Sequence, residues 1–303
     1  MVAHTTDAIL RAGILSDIRR RIRRGLYAEG GFEVTPLKVY IGYDPREAVT
    51  WHVLAHSILA RSTGPVQICP ISLANLKDIY TRPRNPAQST DFTFARFLTP
   101  WLAGPGVSIF LDSDMLCLCD IWDLQKFALA NPYSDVLCVK HDYSPKDGPK
   151  FLGNANSTYP CKNWSSLMIF NGHRQPVRRL TPEYVNKASP MDLHQFKWAE
   201  DVGGIPAEYN WLVGEYSFNP SAKIVHYTLG SPCFRAYQNC DYSDLWFEEL
   251  GRMTHCDDPI LEIVQNANVS RHGNANPNGF AESHDVQRPS EAGDPVGNPP
   301  ASA

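Results

Sequence analysis

No stretch of this 303-residue chain approaches the ~20 consecutive apolar residues of a membrane span, and no apolar segment of signal-peptide type follows its start. A spanning or secreted protein is therefore not expected. The chain also lacks a basic surplus. With 28 Lys and Arg against 32 Asp and Glu, a net charge of −4, nothing general draws it to nucleic acid, and any polyanion contact has to be local. Zinc-finger spacing is missing too. The eight cysteines, at 69, 117, 119, 138, 161, 233, 240 and 256, include a Cys-x-Cys at 117 and 119 but no second Cys or His pair to complete a structural site. Several sit in apolar runs, where a reduced thiol serves as a small hydrophobe, so a cytoplasmic, reducing compartment is expected. No internal repeat is present.

Composition divides what remains into three regions. Residues 7–27 carry six Arg against two Asp, with Leu15, Ile18, Ile22 and Leu26 at helical spacing. The extension 1–36 is thus expected to hold a basic amphipathic helix, suited to an anionic membrane surface or to packing on the body of the protein. From 37 to 250, short β-rich runs alternate with helical stretches, which predicts a single α/β domain with a mainly parallel sheet and helices on both faces. With 43% hydrophobic residues that region can bury one sizeable core. After about residue 262 large apolar residues become scarce, and Pro277, Pro289, Pro295, Pro299 and Pro300 sit among Asn, Gly and Ser. A largely disordered tail over 251–303 is expected.

The chemistry is expected at Val107-Ser-Ile-Phe-Leu-Asp112-Ser113-Asp114. An apolar run that stops at two carboxylates reads as a buried strand delivering both to the mouth of a sheet. Carboxylate oxygens are hard ligands, so Asp112 and Asp114 can hold Mn²⁺ or Mg²⁺ while substrate phosphates complete the shell. Taken alone, an Asp-x-Asp is as much a turn signature as a metal motif, because Asp bonds its own backbone in turns.

The motif and its flanks resemble the Asp-x-Asp glycosyltransferases of the GT-A fold, particularly those of family 8. Leu37–Asp44 looks like that fold's first strand and Arg46–Ala60 like its first helix. Ser89–Leu98 resembles the helix that carries a donor-contacting Arg, here Arg96. Trp164–Asn171 resembles a later strand lining the sugar pocket, and His194-Gln195 sits where the family has Asp-Gln. His226-Tyr-Thr-Leu-Gly230-Ser-Pro resembles the closing segment that returns a His to the metal. The strings Ile-Gly-Tyr-Asp-Pro-Arg-Glu-Ala and Lys-Asn-Trp-Ser-Ser are also similar to those of a group of bacterial glycosyltransferase-like proteins.

The resemblance implies a metal-dependent, retaining hexosyltransferase-like enzyme that moves a sugar from a nucleotide-diphosphate donor to a glycan or lipid-linked acceptor. It places the metal on Asp112, Asp114 and His226, and the donor on Tyr43, Asp44, Arg96, Ser113, Asp142, Ser166 and Gly230. Gln195 falls near the anomeric centre, with Asp201 as a nearby acidic candidate for catalysis. Three departures stand out. Ser231-Pro-Cys233 replaces the family's phosphate-binding Lys segment, Trp164-Ser165-Ser166 replaces a small-residue stretch, and His194 replaces an Asp. Two alternatives stay open: a haloacid-dehalogenase-like phosphohydrolase with Asp112 as nucleophile and Asp114 as acid/base, or a non-catalytic nucleotide-sugar or glycan-binding protein.

Overall fold

Each strand at the centre of the molecule is apolar on both of its faces. In β1 (Leu37–Gly42) Val39 and Ile41 point one way and Tyr40 the other; in β3 (Val107–Leu111) Ile109 and Leu111 oppose Phe110; in β6 (Leu167–Asn171) Leu167 and Ile169 oppose Met168 and Phe170. The period of two sends alternate residues into two separate cores, so the sheet is covered on both sides. The computed structural model describes residues 35–84, 88–142 and 160–255, all within one compact unit. The helix expected over 7–27 and the Pro-rich stretch after 262 lie outside the described residues.

With β2 (Val66–Ile71), β5 (Val136–Cys138) and β7 (Val202–Gly204), these strands form a six-stranded sheet of order β2-β1-β3-β6-β5-β7. Pairing is parallel except along β6, which runs antiparallel to β3 and β5. A second sheet was not anticipated. It has the order β4-β9-β8, from β4 (Met115–Cys117), β8 (Trp211–Leu212) and β9 (Ile224–His226).

Helix α1 (Ala48–Arg61) follows β1; α2 (Thr99–Ala103) precedes β3, and α3 (Trp122–Ala130) follows β4. Three short helices come after β6: α4 (Gln175–Arg178), α5 (Pro182–Lys187) and α6 (Pro190–His194). The last two start alike. Thr181 and Ser189 cap the amides of Tyr184 and Asp192, and each cap is followed by a Pro that needs no N–H partner. Phe196, at φ 56°, ends the run after α6 and fixes His194 in its last turn. Helix α7 (Ser243–Met253) packs on α1, where the buried Glu249 takes His56 at 2.5 Å and Arg61 at 2.7 Å.

The segment expected to be helical over 89–98 is instead a series of turns leading into a 3-10 helix at Ala95–Leu98. Its polar side chains explain this. Thr93 Oγ1 donates to the Thr90 carbonyl and the Gln88 amide donates to the same oxygen, so side chains compete with the helical ladder. The turns stack on the end of β1, where Gly42 leaves room for the Phe92 ring; a Cβ there would meet it at 2.3 Å.

Candidate functional site

Strand pairing brings the carboxylates and the histidine together. β3 ends at Leu111, and the Asp112 amide extends its pairing with β6 by donating to the Ser166 carbonyl at 2.8 Å. Three residues on, Met115 pairs directly with His226 across β4 and β9, while the Tyr227 amide donates to the Asp114 carbonyl at 2.8 Å. Asp112, Asp114 and His226 therefore converge, with ligand atoms all within 4.8 Å of one another. His226, expected from the closing segment, comes from the small sheet.

Hydrogen bonds fix the tautomer of His226. Ser166 Oγ donates to the Asn163 carbonyl at 2.7 Å and accepts the Asn210 amide at 2.8 Å. That leaves the Asn210 oxygen facing His226 Nδ1 at 3.0 Å, so this nitrogen carries the proton. Nε2 faces Asp114 Oδ1 at 3.2 Å. A cation bound here would sit between that carboxylate oxygen and the Nε2 lone pair. A histidine oriented through its far nitrogen is the arrangement of a metal ligand. Carboxylate oxygens with one imidazole nitrogen suit a hard or borderline divalent ion.

Arg96 supplies the opposite charge. It is 6% exposed, with Nη1 2.7 Å from Asp112 Oδ1 and 3.0 Å from the Ser165 carbonyl. Its Nε–H has no acceptor among the described residues, which leaves one buried donor for a ligand oxygen. Burial raises the Asp112 pKa, Arg96 opposes the rise and Asp114 adds to it.

The side chains bound a cavity of about 140 Å³ lined by Glu47, Ser89, Thr90, Thr93, Arg96, Asp112, Asp114, Asn163, Ser165, Ser166, His194, His226 and Thr228. It lies beyond the carboxyl ends of β1, β3 and β5, where open α/β sheets take ligands. His194 is held by Ser165 Oγ at 2.8 Å from Nδ1 and walled by the rings of Phe94 and Phe97. Burial first, then the charges of Arg96 and Arg82, lowers its pKa to about 3, so it is neutral.

The other expected donor residues divide. Ser166 lines the cavity. Asp44 is 1% exposed but already engaged, by Arg46 through its backbone and guanidinium and by the Asp91 amide at 3.1 Å, so it anchors the 88–94 turns to β1. Tyr43 stacks edge-on against Trp51, outside the lining. Ser113 is fully buried and donates to Glu47 at 3.1 Å, away from a direct donor contact. Gly230 gives room to Tyr237, whose ring a Cβ would meet at 2.2 Å. Asp142 is exposed near Tyr216, outside the lining. Trp164 turns its indole to the His141 carbonyl at 2.9 Å, so Ser165 and Ser166 face the cavity in its place.

Of the two catalytic candidates, Gln195 caps α6 beside His194, outside the lining. Asp201 does not reach the site. It precedes β7 at the level of Asp135 and Asn171, the end of the sheet where β3 begins. Five strand residues, roughly 16 Å at ~3.3 Å each, separate that end from Asp112. The residues missed from sequence are Glu47, Ser89, Thr90, Thr93, Asn163, Ser165, Asn210 and Thr228. Glu47 followed a visible cue, three residues after Asp44 at the end of β1. It is 5% exposed, and burial, then Asp114, raises its pKa.

The mostly parallel sheet with helices on both faces and a polar cavity at its carboxyl ends matches the GT-A glycosyltransferase fold. Among solved structures, the chain superimposes on the apo form of the WbbM bifunctional glycosyltransferase with a TM-score of 0.50 at 17% identity, covering 79% of this chain and 53% of that one. It thus spans about half the length of the bifunctional protein. The glycosyltransferase GlyE of Streptococcus pneumoniae TIGR4 follows at 0.49 and 13% identity, covering 78% of this chain and 64% of that one. No family model matches the chain. It is 41% identical over 231 residues to Protein CDI of Arabidopsis thaliana, spanning 73% of this chain and 88% of the plant protein. The chain belongs to the family of Protein CDI. With a GT-A fold, the phosphohydrolase alternative loses its scaffold.

Proposed function

We propose that the chain is a divalent-metal-dependent glycosyltransferase, family 8-like and of a type shared with bacteria, that moves a hexose from a nucleotide-diphosphate donor to a glycan or lipid-linked acceptor. The observation that carries this is the convergence of Asp112, Asp114 and a pre-oriented His226 beside Arg96, at the carboxyl ends of a GT-A sheet. Asp112, Asp114 and His226 hold the ion, Mn²⁺ favoured over Mg²⁺ by the imidazole nitrogen. When bound, the ion stabilises the charge of the departing nucleoside diphosphate. Arg96 offers its Nε–H to a diphosphate oxygen and takes the part of the missing Lys. Arg235, two residues beyond Ser231-Pro-Cys233, is exposed on a 3-10 turn.

The hydroxyls of Thr90, Thr93, Ser165 and Thr228 and the neutral imidazole of His194 present donors and acceptors to sugar hydroxyls. At about 140 Å³, the cavity is smaller than the ~300–1,000 Å³ of whole small-molecule sites, so it takes one part of the donor. We place the anomeric carbon toward Gln195 and expect retention of configuration. For the segment 7–27 we propose peripheral contact with anionic membrane, weakened by salt and by Leu15→Asp. No helix among the described residues is long and apolar enough to cross a membrane.

The test is a screen of nucleotide sugars with purified protein, with and without Mn²⁺. Metal-dependent hydrolysis of one donor, faster transfer once an acceptor is supplied, and an unchanged anomeric configuration by NMR are expected. Metal-dependent donor binding with no turnover would favour a binding protein, and full activity in chelator would remove the metal.

A further inference from the structure

We propose that Glu47 completes the charge of the metal centre, acting on the bound cation from outside the three ligands; this rests on the metal reading above. The ligand set alone falls short of a divalent ion. Asp112 is answered by the Arg96 guanidinium at 2.7 Å, and an imidazole ligand such as His226 adds no negative charge. One net negative charge remains, on Asp114, against two positive. Glu47 supplies the second.

Glu47 is 5% exposed and lines the same cavity as Asp112 and Asp114. Among the described residues its hydrogen-bond partner is the Ser113 hydroxyl at 3.1 Å, and no Lys or Arg pairs with it. A buried carboxyl without a cation weakens a fold. Beside two metal-ligand carboxylates it is the feature that a +2 ion offsets. Two further observations point to a ligand there: His226 Nε2 facing Asp114 Oδ1 at 3.2 Å, and the Arg96 Nε–H without an acceptor among the described residues. The link through Ser113, the residue between the two aspartates, also joins Glu47 to the loop that carries them.

Mn²⁺ titration of the full chain, by calorimetry or by the resonance of free Mn²⁺, separates charge from scaffold. Glu47→Gln keeps the shape and the acceptor for Ser113 and removes the charge. Ser113→Ala keeps the charge and removes the link, and Glu47→Asp keeps the charge at shorter reach. We expect Glu47→Gln to bind Mn²⁺ ~10–100-fold more weakly, the range for outer-shell partners, with a smaller rise in melting temperature on adding Mn²⁺. Glu47→Asp should recover most of the affinity, and Ser113→Ala should stay within a few-fold of wild type. Unchanged affinity in Glu47→Gln would overturn the inference, as would Ser113→Ala losing as much as Glu47→Gln, which would make the link the cause. Failure of the wild type to bind Mn²⁺ or Mg²⁺ would instead remove the metal centre itself, and Glu47's role with it.

Discussion

Replacing Arg96 by Ala should destabilise the protein strongly in chelator and only weakly in Mn²⁺. Arg96 Nη1 lies 2.7 Å from Asp112 Oδ1, and the two side chains are 7% and 14% exposed. At an effective dielectric of about 20, the attraction across that distance is roughly 6 kcal/mol. Removing one partner of a buried pair costs ~3–5 kcal/mol after solvent and structure respond. The cavity admits water to Asp112, so the lower end, about 3 kcal/mol, applies. For a chain of this size that is roughly 6–12 °C in melting temperature. A divalent ion on Asp112 restores the missing positive charge, leaving the lost bond to the Ser165 carbonyl, about 1 kcal/mol. The difference of about 2 kcal/mol has to return as affinity, so the variant should bind Mn²⁺ roughly 30-fold more tightly than wild type. Urea melts in chelator and in saturating Mn²⁺, with a metal titration, measure all three quantities. A variant as stable as wild type in chelator, or one whose deficit Mn²⁺ leaves untouched, would refute the reasoning.

Asp114→Ala and His226→Ala should each abolish the rise in melting temperature on adding Mn²⁺, along with any metal-stimulated activity, while the far-ultraviolet circular dichroism in chelator stays native. Asn210→Leu removes the acceptor that fixes His226 and should weaken Mn²⁺ binding ~10–100-fold without touching a ligand; equal affinity would show that the tautomer is set elsewhere. Burial lowers His141 to about 3, and burial, then Arg96 and Arg82, does the same to His194. Both fold neutral and take up protons on unfolding, so stability should fall as pH drops from about 6.5 toward 3. His141→Gln and His194→Gln should each flatten the slope by up to ~1.4 kcal/mol per pH unit, and an unchanged slope in urea melts would show that other groups carry it.

How much of this was legible in the chain depended on distance along it. Val107–Leu111 and the two aspartates are contiguous, so the strand and the carboxylate pair stood out together. His226 lies more than a hundred residues on, and resemblance alone brought it to the metal. The small sheet was hidden because β4 and β9 have three residues each, too few for a period to register. Asp201 misled for the opposite reason. It is close in sequence to His194, but Phe196 turns the chain and β7 enters the sheet from its far end. Glu47 was passed over, although it follows Asp44 by three residues, because a single Glu at the start of a helix reads as a solvated charge. Its burial comes from packing against Ser113, which no local pattern encodes.

The candidate metal site also joins the two sheets. Asp112 belongs to the large sheet through its amide on the Ser166 carbonyl, whereas Asp114 and His226 are held by the β4–β9 pairing. Ser113 spans the junction and reaches Glu47 at the head of α1. An ion shared by these ligands therefore binds only when both sheets are in register, and by mass action it stabilises them as one unit. Hydrogen exchange should show this at the amides of Asp112 and Tyr227, one in each sheet, which should gain equal protection on adding Mn²⁺. Protection confined to one of them would mean that the small sheet opens independently and that the ion is held by the large sheet alone.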